Sequence, residues 1–385
     1  MNPAAGSIPD RTSENLALFG YLRSLAFDVY RRLETRQHPL LYLFLEITRR
    51  CNLSCSHCGS DCVAEATRAE LTTESWLKLI TDVRDQFGDS VILVLTGGEP
   101  LLHPELDRIT AHISSLGMRW GVVTNGQLLS ERRLDRMLDN GMQSITVSLD
   151  GPETAHDRLR NRPGCFAKTV EAMQQIAKSS IPTSDVVTCV HPGNLELLDE
   201  TAEIILRTGI PAWRLFRIFP SGRAGRDRSL NLDFEQTWQM LHWIEANRPR
   251  LAKRGLNVSA SCEGYLSFDF DRRVRDVPFF CRAGINFGAI LADGTVTGCS
   301  NNHVSFKQGN VLEDSFGYLW ENRFEPFRKR TWLADTGCVE CPEVKRCRGG
   351  SIHLWKLGDR SPAFCYCRAE GPECPRESAA RDTSS

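Results

Sequence analysis

The chain has 385 residues, of which 41% are hydrophobic and 25% charged, values ordinary for a globular protein that argue against disorder and coiled coil. A formal net charge of −1 provides no electrostatic footprint for a nucleic-acid partner. No apolar run nears the roughly 18 residues of a membrane span, and the amino terminus lacks a basic stretch and an apolar core, so no membrane partner and a cytoplasmic location are expected.

In chain order, residues 14–36 carry a helical stripe of Leu16, Leu18, Leu22, Leu25 and Val29. From residue 41 strands and helices alternate. Runs at 41–47, 90–95, 119–124, 144–149, 185–190 and 213–218 read as strands, with helices at 73–87, 105–115, 131–140, 166–179 and 194–208. This alternation predicts an α/β fold with a parallel sheet, and the nearly continuous apolar run Val91 to Leu95 suits a strand covered on both faces. Six such units are too few for an eight-stranded barrel, which leaves an open partial barrel or a doubly wound sheet. In either, the site gathers at the carboxyl ends of the strands. After 219–226 the pattern changes to a helix at 234–246, a hairpin over 287–299 turning at Asp293-Gly294, and a helix at 315–329. The expected division is a helical segment 1–40, a barrel 41–220, a helical bridge 221–260, a cysteine-rich domain 261–367 and a disordered tail 368–385.

Fifteen cysteines are too few for a disulfide scaffold, and they are clustered: four between Cys51 and Cys62, eight between Cys281 and Cys374. In a reducing compartment such clusters read as metal or iron–sulfur ligands. Cys51, Cys55 and Cys58 follow the first strand and can wrap one face of a cubane while leaving one iron open. Half a zinc site at Cys55 and Cys58, assisted by His57, is the alternative, and Cys62 reads as a bystander. The second strand ends in Gly97-Gly98-Glu99-Pro100, where glycines allow close approach of a ligand and Glu99 can receive an ammonium group. The third ends Thr124-Asn125-Gly126, and the fourth ends Ser148-Leu149-Asp150-Gly151.

C-x3-C-x2-C, G-G-E-P and S-L-D-G-P-x3-H-D-x2-R, at these strand ends, together resemble the radical S-adenosylmethionine (SAM) enzymes over about residues 41–220. The resemblance implies a partial (β/α)6 barrel in which Cys51, Cys55 and Cys58 hold a [4Fe–4S] cluster. It further implies that Gly97, Gly98 and Glu99 hold the SAM amino group, Ser148 and Asp150 the ribose side, and Arg160 the carboxylate. The implied chemistry is one-electron cleavage of SAM to a 5′-deoxyadenosyl radical that abstracts hydrogen, fed by an electron donor such as flavodoxin or ferredoxin.

Cys281-x12-Gly294-x4-Cys299, followed by Cys338-x2-Cys341-x5-Cys347, is similar to the SPASM extension of these enzymes, a small domain with one or two auxiliary [4Fe–4S] clusters. Where that pattern has a fourth cysteine this chain has Ser351. The nearer cluster, with Cys281 and Cys299, must then take another ligand such as Cys262, keep an open iron, or be absent. The farther set, Cys338, Cys341 and Cys347 with Cys365 or Cys367, looks complete, Cys365 being preferred; a structural zinc knuckle is the alternative. His353 reads as a structural neighbour. Sulfatase-maturing members place an aspartate after the cysteine matching Cys299, here Ser300, which leaves His156, Glu263, Asp293 and His303 as unassigned candidate bases. Three functions follow: radical modification of a ribosomally made peptide by cross-linking, epimerisation or oxidation; oxidation of a small molecule such as a carbohydrate; or a silent iron–sulfur or zinc protein.

Overall fold

Helix α1 (Arg11–Gln37) leads into β1 (Tyr42–Thr48), and six strand–helix steps follow. These are α2 (Thr73–Phe87), β2 (Ile92–Gly97), α3 (Leu106–Ser115), β3 (Arg119–Thr124), α4 (Glu131–Asp139) and β4 (Met142–Ser148). Next come α5 (Glu153–Arg160), α6 (Cys165–Lys178), β5 (Thr183–Val190), α7 (Leu198–Thr208), β6 (Ala212–Arg217), α8 (Phe234–Ala252) and β7 (Asn257–Ala260). The rest holds α9 (Phe268–Val274), β8 (Phe287–Ile290), β9 (Thr295–Thr297), β10 (Gly309–Asn310), α10 (Phe316–Asn322), α11 (Glu325–Arg328) and α12 (Val344–Cys347). This computed structural model describes residues 11–65, 69–262 and 264–366, with side chains from residue 22 onward. Glu263, Cys367, Cys374 and the expected tail lie outside the described residues.

One sheet in the order β10-β9-β8-β1-β2-β3-β4-β5-β6-β7 carries the whole molecule. β1 to β7 pair in parallel, so the expected bridge 221–260 ends in a seventh parallel strand, too short at four residues to stand out by pattern. On the other flank β8 pairs in parallel with β1, and the expected hairpin β8–β9 thereby joins the cysteine-rich domain to the barrel sheet.

The strands are apolar throughout, yet their two faces differ. Leu43, Leu45 and Ile47 are fully buried against the helices, whereas Tyr42 and Phe44 are half-buried on the barrel's inner face, meeting the Phe287 ring of β8 at 5.1 and 5.9 Å. Val91, Leu93 and Leu95 against Ile92 and Val94 repeat that division, which is what a barrel interior requires. The helix expected over 315–329 is two short helices, because Pro326 has no amide hydrogen to continue α10 and begins α11 instead. α1 lies across the cysteine-rich domain: Arg31 donates to the carbonyls of Arg346 and Lys345, Glu34 accepts from Asn286 at 2.7 Å, and Phe27 and Tyr30 meet Phe280 edge-on.

Candidate functional site

The loop carrying Cys51, Cys55 and Cys58 leaves β1 at Thr48 and is held by backbone alone where it passes the tip of β2. The Gly98 amide donates to Thr48 O at 2.8 Å and the Glu99 amide to Arg50 O at 2.9 Å. A Cβ on Gly97, whose φ is +146°, would stand 2.2 Å from Thr48 O, and one on Gly98 would stand 2.3 Å from Arg50 O. These glycines therefore admit the chain's own backbone, a use the sequence alone did not reveal. Glu99 is fully buried and accepts from Thr124 Oγ1 at 2.8 Å, the Asn125 amide at 2.8 Å and the Leu101 amide at 3.1 Å, tying β2 to β3. Burial pushes its carboxyl pKa up, and those hydrogen bonds oppose the shift.

Two thiols of the loop have an outer donor, each from a different place. Asn125 Nδ2, at the tip of β3, lies 4.0 Å from Cys51 Sγ, and Arg160 Nη1, from α5, lies 3.8 Å from Cys55 Sγ. The thiol of Cys62, which closes the loop, donates to Ser60 O at 3.9 Å. Burial pushes the Cys51 thiol up to about 11 and raises that of Cys55, whereas Cys58, beside Cys62 and the Arg223 cation, is lowered. The turn from Cys58 to Cys62 is clamped from the loop after β6. Arg223 donates to Cys55 O at 2.7 Å, to Asp61 Oδ1 at 3.0 Å and to Cys62 O at 2.9 Å. Gly222, at φ +55°, lets that loop approach, since a Cβ there would lie 2.4 Å from Gly59 O. Sequence reading treated this segment only as a boundary; two glycines flanking an arginine beyond a strand end were the available signal.

At the tip of β4, Ser148 is half-buried and Asp150 wholly buried. Asp150 accepts Arg160 Nε at 2.6 Å and the Cys189 amide at 2.9 Å, and His57 Nε2 stands 4.0 Å away. Burial would raise this carboxyl, but Arg160, His57 and His156 outweigh it and hold the group down at about 2. His156 Nδ1 accepts the Asp150 amide at 3.0 Å, so this candidate base fixes the backbone of the tip. Asp293 and His303 are engaged likewise, accepting the amides of Thr295 at 3.0 Å and Ser305 at 3.1 Å.

The donor set discriminates between metals. Among the described residues, the three-donor group converging to within 4.8 Å is His57, Asp150 and Cys189, and its carboxylate already serves Arg160. Cys51, Cys55 and Cys58 do not converge so closely, although one tetrahedral zinc with bonds of about 2.3 Å would require it. Three spread thiols on one loop suit a cubane, whose iron corners are themselves spread.

In the cysteine-rich domain, Cys338, Cys347 and Cys365 line one pocket together with Ser351, and Cys341 follows one turn after Cys338, its amide donating to Cys338 O at 3.0 Å. Cys299 is pushed up to about 11 by burial, with the Cys281 thiol nearby adding to the rise and Ser300 hydrogen-bonded to it. Ser351 Oγ donates to Cys262 O at 3.0 Å, and Cys262 is exposed in the left-handed region at φ +55°. Arg330 spans Gly350 O at 3.1 Å and Cys281 O at 3.4 Å. His353 packs on Phe219, ring centres 3.8 Å apart, and its pKa falls to about 3 by burial beside Arg217. That contact brings the domain to the barrel mouth.

Residues 45–205 match the family model described as the Radical SAM superfamily, and residues 281–342 match the one described as an iron–sulfur cluster-binding domain, SPASM. An AdoMet-dependent heme synthase of Methanosarcina barkeri is 28% identical over 350 residues, 84% of this chain and 94% of that protein. A PqqA peptide cyclase of Rhizobium meliloti is 26% identical over 323 residues, 81% of this chain and 82% of that protein. The crystal structure of Streptococcus suis SuiB bound to S-adenosylmethionine shares the fold, with a TM-score of 0.65 at 14% identity over 84% of this chain and 76% of that one. Among the described residues no helix is long and apolar enough to cross a membrane.

Proposed function

The chain belongs to the radical SAM superfamily and carries a SPASM iron–sulfur domain, and from that premise we propose that it modifies a ribosomally made peptide by abstracting hydrogen inside the barrel mouth. With cluster and SAM bound, the cofactors supply a reductive cleavage whose carbon radical takes the hydrogen. The protein contributes position and exclusion of water. Cys51, Cys55 and Cys58 hold the cluster, and the carbonyls of Gly97 and Gly98 receive the SAM ammonium group on a turn that Glu99 fixes from within. Ser148 would serve the ribose side of SAM, and Arg160, held by Asp150 beside Cys55, would serve its carboxylate. Cys338, Cys341, Cys347 and Cys365 hold an auxiliary cluster, and Cys281 and Cys299 with Cys262 form a second, incomplete set. A soluble one-electron donor of the flavodoxin or ferredoxin type feeds the first cluster.

The observation that carries this reading is the three-thiol loop, too spread for one ion and pinned by paired glycines to a strand tip where a buried Asp–Arg pair also ends. A peptide suits the sheet, whose order leaves β7 and β10 as free edges and so leaves the barrel open at the side. A second reading, a porphyrin-type small molecule, is favoured by the heme synthase likeness, which runs over 94% of that relative. The test is anaerobic incubation of reconstituted protein with SAM and either precursor peptides encoded beside its gene or an iron porphyrin, read by mass spectrometry. A peptide mass change that depends on Cys51, Cys55 and Cys58 is expected. Turnover of the porphyrin alone would reverse the order of the two readings, and absence of 5′-deoxyadenosine in every arm would reject both.

A further inference from the structure

Arg214 has no task in the scheme above, yet it lies on the inner face of the barrel. Its neighbours Trp213 and Leu215 are fully buried on the helix side of β6, where Trp213 meets Trp243 of α8 with ring centres 5.6 Å apart. On the inner side Arg214 Nε donates to Asp185 of β5, and Nη2 donates to Thr146 Oγ1 of β4 at 3.3 Å. Thr146 in turn donates to Asp185 Oδ1 at 2.6 Å. The arginine side chain is nonetheless 39% exposed against 15% for its carboxylate partner, and among the described residues Nη1 has no hydrogen-bond partner. Strand register sets it close to the reaction. Arg214 pairs with Val187 and Val187 with Ser148, so two strand spacings, about 10 Å, separate it from the ribose-side serine. Toward the mouth the wall is aromatic. The guanidinium lies 5.8 Å from the Phe216 ring, Phe216 meets Phe219 at 6.4 Å, and Phe219 packs on His353 of the SPASM domain at 3.8 Å.

We propose that Arg214 is a substrate-binding residue that receives a carboxylate of the substrate, with Asp185 and Thr146 as its positioning partners. Resting on the proposed abstraction of hydrogen inside the barrel mouth, this assignment adds what the substrate carries: a carboxylate beside an apolar or aromatic body. A guanidinium has five donor hydrogens, and Asp185 and Thr146 fix the fork through Nε and Nη2 while leaving Nη1 to the lumen. A substrate that fills the barrel excludes water from that edge. An occupant without an acceptor there would strand part of a cation, and a carboxylate avoids that cost. An acidic side chain of a peptide and a carboxylate arm of a porphyrin share this chemistry.

The test is equilibrium binding to the full chain holding its clusters and SAM, without reductant, so that turnover plays no part. One arm uses an iron porphyrin with free carboxylates and its methyl ester, read by absorbance. The other uses the precursor peptides and the same peptides with each acid replaced by its amide, read by fluorescence anisotropy. Neutralisation is expected to weaken wild-type binding about tenfold or more in the arm that holds the substrate class. The double variant Arg214→Met with Asp185→Asn, which strands no carboxylate, is expected to bind acid and neutral forms alike. Arg214→Lys, which keeps the charge without the fork, is expected to fall between. Acid dependence in the peptide arm alone identifies an acidic side chain as the source, and in the porphyrin arm alone a carboxylate of the macrocycle. Equal wild-type affinity for acid and neutral forms in both arms would overturn the inference, as would an acid preference that survives in the double variant or failure of every probe to bind. The neutralised probes leave the protein untouched, so the wild-type comparison stands should the double variant misfold. Carboxylate-dependent binding with no 5′-deoxyadenosine after reduction would reject the proposed function and leave the role of Arg214 intact.

Discussion

The two cysteine regions share one kind of support and differ in another. At the barrel tip, backbone holds backbone: the cluster loop pairs with the Gly97–Glu99 turn, and the strand tips supply Glu99, Asn125 and Asp150 in fixed positions. In the SPASM domain strands are few, and arginine side chains take the place of the missing ladder. Arg330 donates to the carbonyls of Arg348, Gly350 and Cys281, Arg348 to Arg328 O, Arg31 to Lys345 O, and Arg275 to Gly264 O. Irregular buried backbone must find partners somewhere, and a five-donor guanidinium can satisfy several carbonyls at once. Both regions use arginine on loop carbonyls, as Arg223 does at Cys55 O and Cys62 O, and the barrel tip adds glycines where its strand ends meet the cluster loop.

That contrast is most easily broken at Gly98. Gly98→Ala should push the cluster loop off β2, because the clash is with Arg50 backbone and no side chain can yield. We expect loss of about four irons and of all SAM cleavage, with the auxiliary iron retained, read by anaerobic iron and sulfide assay. Next in size is Asp150→Asn, which strands the buried Arg160 cation and should cost about 3–5 kcal/mol in urea unfolding. Because the Asp150 pKa is depressed from 3.8 to about 2, its contribution is complete at neutral pH and is lost as pH falls through that window.

Glu46 sharpens the comparison from the junction of the two regions. It is buried at the end of β1, beside Arg49 at 3.6 Å and the Ala292 amide at 3.5 Å, and burial raises its carboxyl from 4.5 to about 7. A raised acid favours the folded state fully below 4.5 and loses that contribution as pH rises through about 7. Glu46→Gln should therefore flatten the thermal midpoint between those pH values and stabilise the protein above them, as a pH series of melts would show. The smallest effect is expected at Ser351→Ala, which removes one hydrogen bond to Cys262 O and should cost about 1 kcal/mol in the same unfolding assay, without loss of iron.

Much of the barrel was legible because its signals are local. β3 spans Arg119–Thr124 and α2 spans Thr73–Phe87, the bounds that apolar periodicity proposed, and Cys51, Cys55 and Cys58 needed only their spacing to be noticed. β7 was not legible, since four residues show no period, nor was α5, whose eight residues lie inside the S-L-D-G motif. Glu99 was read as a group awaiting a ligand, and its three partners from two elements turn it inward.

By itself the sequence determined the chemistry on offer: thiols at cubane spacing, glycines at strand ends, and an auxiliary cysteine set with Ser351 where a ligand is usual. Only the tertiary structure decided which groups modulate those thiols, because Arg223 reaches Asp61 across 162 positions and Arg160 reaches Cys55 across 105. Spacing along a chain reports ligands that act together on one loop. It carries no trace of a donor that a parallel sheet brings in from another strand.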